Sequence, residues 1–192
     1  MITIFHKIQK VETLQKTIDQ RISFFKKKVG LDCVKHCSEC CFYEDIYATP
    51  LEFLPMAYHA CKLGLLDTFF DLAQSSTSKH CIFHRSEKDS WGCRIYPVRG
   101  LICRTFGFSA IRDKNGQPKL VACKVIKRTN PCEINRANQI LQRKSMIPIM
   151  DIWYKRLAGI DHILGNEFLP LNEAIKKALE IIYFNFVYAR TA

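Results

Sequence analysis

The chain has 192 residues, a formal net charge of +11 and ten cysteines. At this length roughly 70% of the unfolded surface can be buried, so a core can form without covalent staples and the cysteines need another explanation. No run of about 18 apolar residues exists, which excludes a helical membrane span, and Met1-Ile2-Thr3-Ile4-Phe5-His6-Lys7 turns polar too soon for a secretory leader.

These features predict a cytoplasmic protein, where disulfides do not persist and clustered cysteines serve metal binding or redox chemistry. In chain order, Leu14, Ile18, Ile22 and Phe25 recur every three or four positions and predict an amphipathic helix from Val11 to Val29, stopped by Gly30. Cys33, Cys37, Cys40 and Cys41 follow as C-x3-C-x2-C-C. The pair Cys37 and Cys40 lets a tight turn aim two sulfurs at one metal. Adjacent Cys40 and Cys41 point apart in extended backbone, which suggests a polynuclear centre, two neighbouring sites, or one cysteine that is not a ligand. The C-x3-C-x2-C spacing is also that of radical S-adenosylmethionine enzymes, but no βα repeats follow and the further cysteines are foreign to that pattern.

Thr49-Pro50-Leu51-Glu52 combines an N-cap, a first-turn proline and a glutamate able to return a hydrogen bond, so a helix is expected to about Leu63, with Pro55 as a possible kink and Gly64 as its end. A second helix follows from Leu66 to Ala73, then a loop over Ser75-Ser76-Thr77-Ser78. His80 to Phe108 reads as short extended pieces and turns carrying Cys81, Cys93 and Cys103. Phe106–Arg112 and Leu120–Val125 predict two strands around the turn Asp113-Lys114-Asn115-Gly116. Asn130-Pro131-Cys132-Glu133 opens a helix to about Arg143. Cys132 lies in its first turn, where free amides and the helix dipole favour a thiolate. Pro148 and Pro170 divide the rest into two helices, the last from Asn172 to about Ala189, with Ile181, Ile182, Phe184 and Phe186 on a face that reads as core.

The expected fold is mainly α with a small β-hairpin. It forms one domain over residues 1–192, with an irregular, cysteine-rich metal-binding centre at 33–132 flanked by helices at 1–30 and 144–192. The candidate ligands are Cys33, Cys37, Cys40, Cys41, Cys81, Cys93, Cys103 and Cys132. Cys123, in a predicted strand, reads equally as ligand or core. Cys61 shares a helical stripe with Leu51, Leu54 and Tyr58 and reads as core. His36, His80 and His84 read as neighbours of the centre rather than ligands. Four thiolates around a divalent ion leave a charge of about −2, which Arg94, Arg99 and Arg104 could offset, Arg99 and Arg104 being the residues assigned to the centre's surroundings.

Cys81, Cys93 and Cys103 come singly rather than in the paired sets of a simple zinc finger, which tilts the expected cofactor toward an iron-sulfur cluster or iron, with zinc as the alternative. The basic charge, densest at Lys26-Lys27-Lys28, reads as a solvated face in preference to a nucleic-acid surface. The partner is then an unidentified protein or substrate.

Cys81-Ile82-Phe83-His84 and the stretch Gly92-Cys93-Arg94-Ile95-Tyr96-Pro97-Val98-Arg99-Gly100-Leu101-Ile102-Cys103-Arg104-Thr105-Phe106 carry a specific resemblance. Together with the first cluster they resemble the CxxCxxCC (YkgJ-type) family of zinc- or iron-chelating cysteine-cluster domains. Its pattern joins C-x(2 or 3)-C-x2-CC to a later C-x-IY-x-x-RP-x-x-CR-x-F. The similarity spans Cys33 to Cys132. Cys93, Ile95, Tyr96, Arg99, Cys103, Arg104 and Phe106 sit on matching positions, while Gly100 replaces the family's proline. The resemblance implies metal binding. One branch of the family resembles flagellin lysine N-methylases, an enzymatic alternative for which this sequence shows no S-adenosylmethionine-binding glycine loop.

Overall fold

The computed structural model describes residues 3–34, 37–76, 79–85, 92–142 and 148–188. Helix α1 (Ile4–Val29) begins earlier than its apolar stripe suggests, because the Thr3 hydroxyl accepts the His6 N–H at 3.3 Å and Ile8 extends the buried face. Gly30 ends the helix at φ 75°, donating its N–H to the Lys26 carbonyl at 2.8 Å.

Strand β1 (Tyr47–Ala48) leads into α2 (Pro50–Lys62) and α3 (Leu66–Ser75). Residues 50–57 of α2 are all buried, so the first two turns of this helix are enclosed on every side, Glu52 included, and form the centre of the core. Pro55 is accommodated within α2 without ending it. Short strands β2 (His84–Arg85) and β3 (Gly92–Cys93) precede α4 (Leu101–Thr105). Then come β4 (Ser109–Arg112), β5 (Pro118–Val121), α5 (Lys124–Thr129), α6 (Pro131–Gln142), α7 (Met150–Ala158), α8 (His162–Asn166), β6 (Leu169–Pro170) and α9 (Leu171–Tyr183). The strands pair antiparallel as β1 with β6, β2 with β3 and β4 with β5.

The fold is mainly α, as expected. Helix α9 packs most extensively on α2, with α3 beside it, and α1 covers the other side of α2. Side chains such as Phe25, Phe53, Leu54 and Ile175 are fully enclosed, each worth roughly 1.5–3 kcal/mol relative to exposure. Among the described residues, no helix is long and apolar enough to cross a membrane.

Several boundaries differ from expectation for identifiable reasons. The hairpin pairs Ser109 with Val121 and stops there, because Phe106–Phe108 turn out of α4 with Gly107 at φ 88°. Residues 122–125 therefore have no strand partner, and Cys123 instead caps α5. The segment between Pro148 and Pro170 holds two helices, since Asp161 accepts the N–H groups of Ile163 and Leu164 and starts α8. Helix α9 gives way to a π-helical turn at Phe184–Tyr188, and Phe184 is exposed there rather than in the core. Residues 77 and 78 of the expected loop, and the expected helix ends at Arg143 and Ala189, lie outside the described residues.

Gly100 has φ −65°, which proline could also adopt, but a Cβ there would stand 2.6 Å from Phe53 Cζ and 2.9 Å from Glu52 Oε2. The chain has glycine at this position because the Phe53 ring occupies the space. Gly100→Ala is expected to lower stability by about 1–3 kcal/mol in urea unfolding. An unchanged midpoint would mean that the Phe53 ring yields freely.

Candidate metal centre

Eight cysteines line one cavity of about 80 Å³: Cys33, Cys37, Cys40, Cys41, Cys81, Cys93, Cys103 and Cys123. They reach it from six parts of the chain. The segment after α1 supplies Cys33 and Cys37. Cys40 and Cys41 share a 3₁₀ turn over Glu39–Phe42, where successive side chains diverge by about 120° rather than pointing to opposite faces, so adjacent residues can line the same space. This corrects the extended-backbone premise on which the pair looked hard to reconcile with one site.

Cys81 is joined to the turn by its N–H, which donates to the Cys41 carbonyl at 3.0 Å. Asn172, at the start of α9, holds the same loop by accepting the Ile82 N–H at 3.2 Å and donating to the His80 carbonyl at 2.8 Å. Cys93 is paired with His84 across β2 and β3, and Cys103 rides on α4. Cys123 accepts the Ile126 N–H at 3.4 Å. The helix-start environment that the sequence suggested for Cys132 is thus present at Cys123. Cys132 is exposed and outside the cavity lining, and Cys61 packs against the core away from it.

The thiols interact closely. Burial, then Cys37, Cys123 and Cys40, pushes Cys33 up to about 11. Its hydrogen bond with Cys41, then burial, pushes Cys40 higher still. For Cys41 the bond with Cys40 acts downward, but a bond with Cys81 and burial outweigh it, leaving the thiol at about 12. Burial raises Cys93, and raises Cys103 well above the usual thiol range. Cys40, Cys93 and Cys103 are each drawn back down by the Arg99 guanidinium.

Arg99 lines the cavity and its buried Nε has no hydrogen-bond partner among the described residues, while its guanidinium lies 4.0 Å from the Tyr96 ring centroid. Arg104 turns away instead. It is buried, paired with Asp19, and donates to the carbonyls of Arg99 at 2.9 Å and Pro97 at 2.7 Å. Its contribution is to brace the backbone that presents Arg99. Arg94 is exposed. His84 bonds Ser38 at 3.0 Å and stacks edgewise on Phe42, as does His80, and neither histidine lines the cavity. His36 lies outside the described residues.

The donor set fits a thiophilic metal in kind and number, and the orphaned Arg99 Nε–H, among neutral thiols, is placed for a partner that thiolates would supply. The shell is not closed as it stands: among the described residues, no group of three or more His, Cys, Asp or Glu is arranged to hold an ion. Cys33 is instead hydrogen-bonded to Cys37, and Cys41 to Cys40 and Cys81, and rotation about their χ1 bonds would re-aim them.

Because these thiols hold their protons above neutral pH, metal must displace them, and affinity is expected to rise with pH by about tenfold per unit for each proton displaced. Chelator competition at two pH values, with the released protons counted in weak buffer, measures this. A pH-independent affinity would place the metal elsewhere.

Glu52, anticipated only as a helix cap, is fully buried beside this wall. One carboxylate oxygen accepts the Thr49 N–H at 2.9 Å and the Tyr154 hydroxyl at 3.1 Å, and the other accepts the Ile102 N–H at 2.7 Å. It thereby ties the start of α2 to α7 and to α4, the helix that carries Cys103. Burial raises its pKa despite these bonds, and burial followed by the Glu52 charge raises Tyr154. Only the distant partners Ile102 and Tyr154 reveal this role. A capping-box spacing alone carries no such signal.

No curated protein and no solved structure matches the chain. The family pattern CxxCxxCC, described as "Putative zinc- or iron-chelating domain", matches residues 32–146, which include all eight cysteines of the cavity. The chain belongs to the CxxCxxCC family of zinc- or iron-chelating domains.

Proposed function

We propose that this is an iron protein whose cavity holds an iron-sulfur or other polynuclear iron centre serving electron transfer. The observation that carries the reading is the supply of sulfur: eight cysteines face one small cavity, whereas a single tetrahedral zinc takes four. The thiols form two linked groups. Cys33 interacts with Cys37 and Cys123, and Cys41 with Cys81 and Cys93, while Cys40 neighbours both groups. Such an arrangement suits more than one metal atom.

When bound, an iron centre supplies one-electron chemistry. The chain's own residues set its surroundings. Arg99 offsets thiolate charge, Arg104 and Glu52 hold the backbone leading into Cys103 at Pro97, Arg99 and Ile102, and Ile95, Phe106, Phe108 and Ile175 limit water at the cavity wall. A thiolate centre needs reduced cysteines, which fits a cytoplasmic location. Enclosure of the cavity within the hydrophobic core favours a second reading, a closed zinc site that stabilises a binding module.

Purification without oxygen, followed by a visible spectrum and analysis for iron, zinc and acid-labile sulfide, tests the choice. Broad visible absorption with iron and sulfide in comparable amounts is expected. A colourless protein with stoichiometric zinc would overturn the iron reading and leave the second.

A further inference from the structure

The structure collects more than half of the chain's excess positive charge at one end. The last turns of α1 contribute Arg21, Lys26, Lys27 and Lys28, and α5 with the start of α6 contributes Lys124, Lys127, Arg128 and Arg136, against only Asp32 and Glu133 in the same segments. Two contacts bring these segments together: Arg136 donates to the Val29 carbonyl and Asn130 to the Asp32 carbonyl, both at 3.2 Å. Lys26 is engaged internally, paired with Asp32 and lying over the Phe108 ring. Lys27, Lys28, Lys127 and Arg128 are exposed, and among the described residues no ion pair engages them.

Phe24 stands among these cations, 54% exposed, with Arg21 three residues before it and Lys27 and Lys28 three and four residues after it on the same helical face. An aromatic ring left in water between cations has the composition of a stacking platform. Phosphates suit the cations, and an unpaired base suits the ring.

We propose that this end of the molecule binds single-stranded nucleic acid, with phosphates on Lys27, Lys28, Lys127 and Arg128 and a base stacked on Phe24. Duplex DNA would use the charge and leave the ring idle, because its bases are already stacked on each other. An acidic protein would likewise need only the charge. The inference does not rest on the identity of the metal.

The test titrates labelled single-stranded RNA and DNA with the metal-loaded full chain by fluorescence anisotropy, alongside a duplex of the same sequence and polyglutamate. Metal content and circular dichroism are measured on the same samples, so a preparation lacking its centre is recognised. Four phosphate contacts predict that a fourfold rise in salt weakens single-strand binding roughly fiftyfold. Replacing Lys27, Lys28, Lys127 and Arg128 together by alanine should flatten that dependence. Phe24→Ala should weaken binding by about tenfold while leaving the salt dependence in place. Preference between RNA and DNA identifies the natural strand. Equal affinity for the duplex or polyglutamate, indifference to Phe24→Ala, or no binding by the metal-loaded chain would each overturn the proposal.

Discussion

Cys40→Ala is expected to strip the metal, because Cys40 sits where the two groups of thiols meet and interacts with Cys33, Cys41, Cys93 and Cys103. Affinity should fall by more than ~100-fold, the upper end of what partners one bond beyond the ligands contribute. Loss of the metal removes stabilisation of order 10 kcal/mol if the ion is zinc, so amide exchange should accelerate through residues 33–132. Cys132→Ala and Cys61→Ala provide the contrast. Both residues lie outside the cavity lining, and both variants should retain full metal content. Elemental analysis of the three variants decides the matter. Equal loss from Cys132→Ala would return that residue to the centre, and full retention by Cys40→Ala would remove Cys40 from it.

The second large effect concerns Glu52. Glu52→Ala leaves the Thr49 and Ile102 amides and the Tyr154 hydroxyl without their acceptor, Thr49 fully buried and Ile102 and Tyr154 half-buried. At about 1–3 kcal/mol for each unsatisfied group, partly relieved by relaxation, a loss of about 4 kcal/mol is expected, a large share of the stability of an ordinary domain. Glu52→Gln keeps one acceptor oxygen but turns an amide donor toward another donor, for a loss of about 2 kcal/mol.

The two variants also separate charge from shape. Burial raises the folded Glu52 pKa above its ordinary value of 4.5, so between those two values the folded state binds more proton than the unfolded state. This group's contribution is therefore fully present below 4.5 and is lost as pH rises through the folded value. Urea unfolding across that window should show the decline in the native protein and not in Glu52→Gln. A parallel pH profile in both would show that Glu52 does not titrate there.

Chemistry-bearing residues proved more legible in the sequence than their partners. Seven of the eight cysteines on the cavity are recognisable as ligand candidates from the sequence, because clustered sulfur is a characteristic metal donor set. The sequence favours Cys132 over Cys123 as a candidate, whereas Cys123 lines the cavity and Cys132 is exposed outside it. Both are placed by local helix starts, but the direction each faces depends on how α5 packs on α6 and α6 on α1, which no local pattern encodes. Arg104 shows the same limit. Its position beside Cys103 suggests charge compensation, yet the guanidinium is taken by Asp19 and by two backbone carbonyls, leaving Arg99 to face the sulfurs.

By itself, the sequence determined the helical class, the amphipathic face of α1, the capped start of α2 and the sulfur-rich character of the centre. These follow from side-chain periodicity, cap chemistry and ligand type, which act within a few residues along the chain. The tertiary structure decided that the hairpin ends at Val121, that Cys40 and Cys41 can share a cavity, and that Glu52 joins three helices across 50 and 102 residues of sequence. Those outcomes depend on which surfaces remain to be buried once α2 and α9 have packed. Burial is non-directional and is shared among segments remote in sequence, so it selects partners that local pattern cannot name.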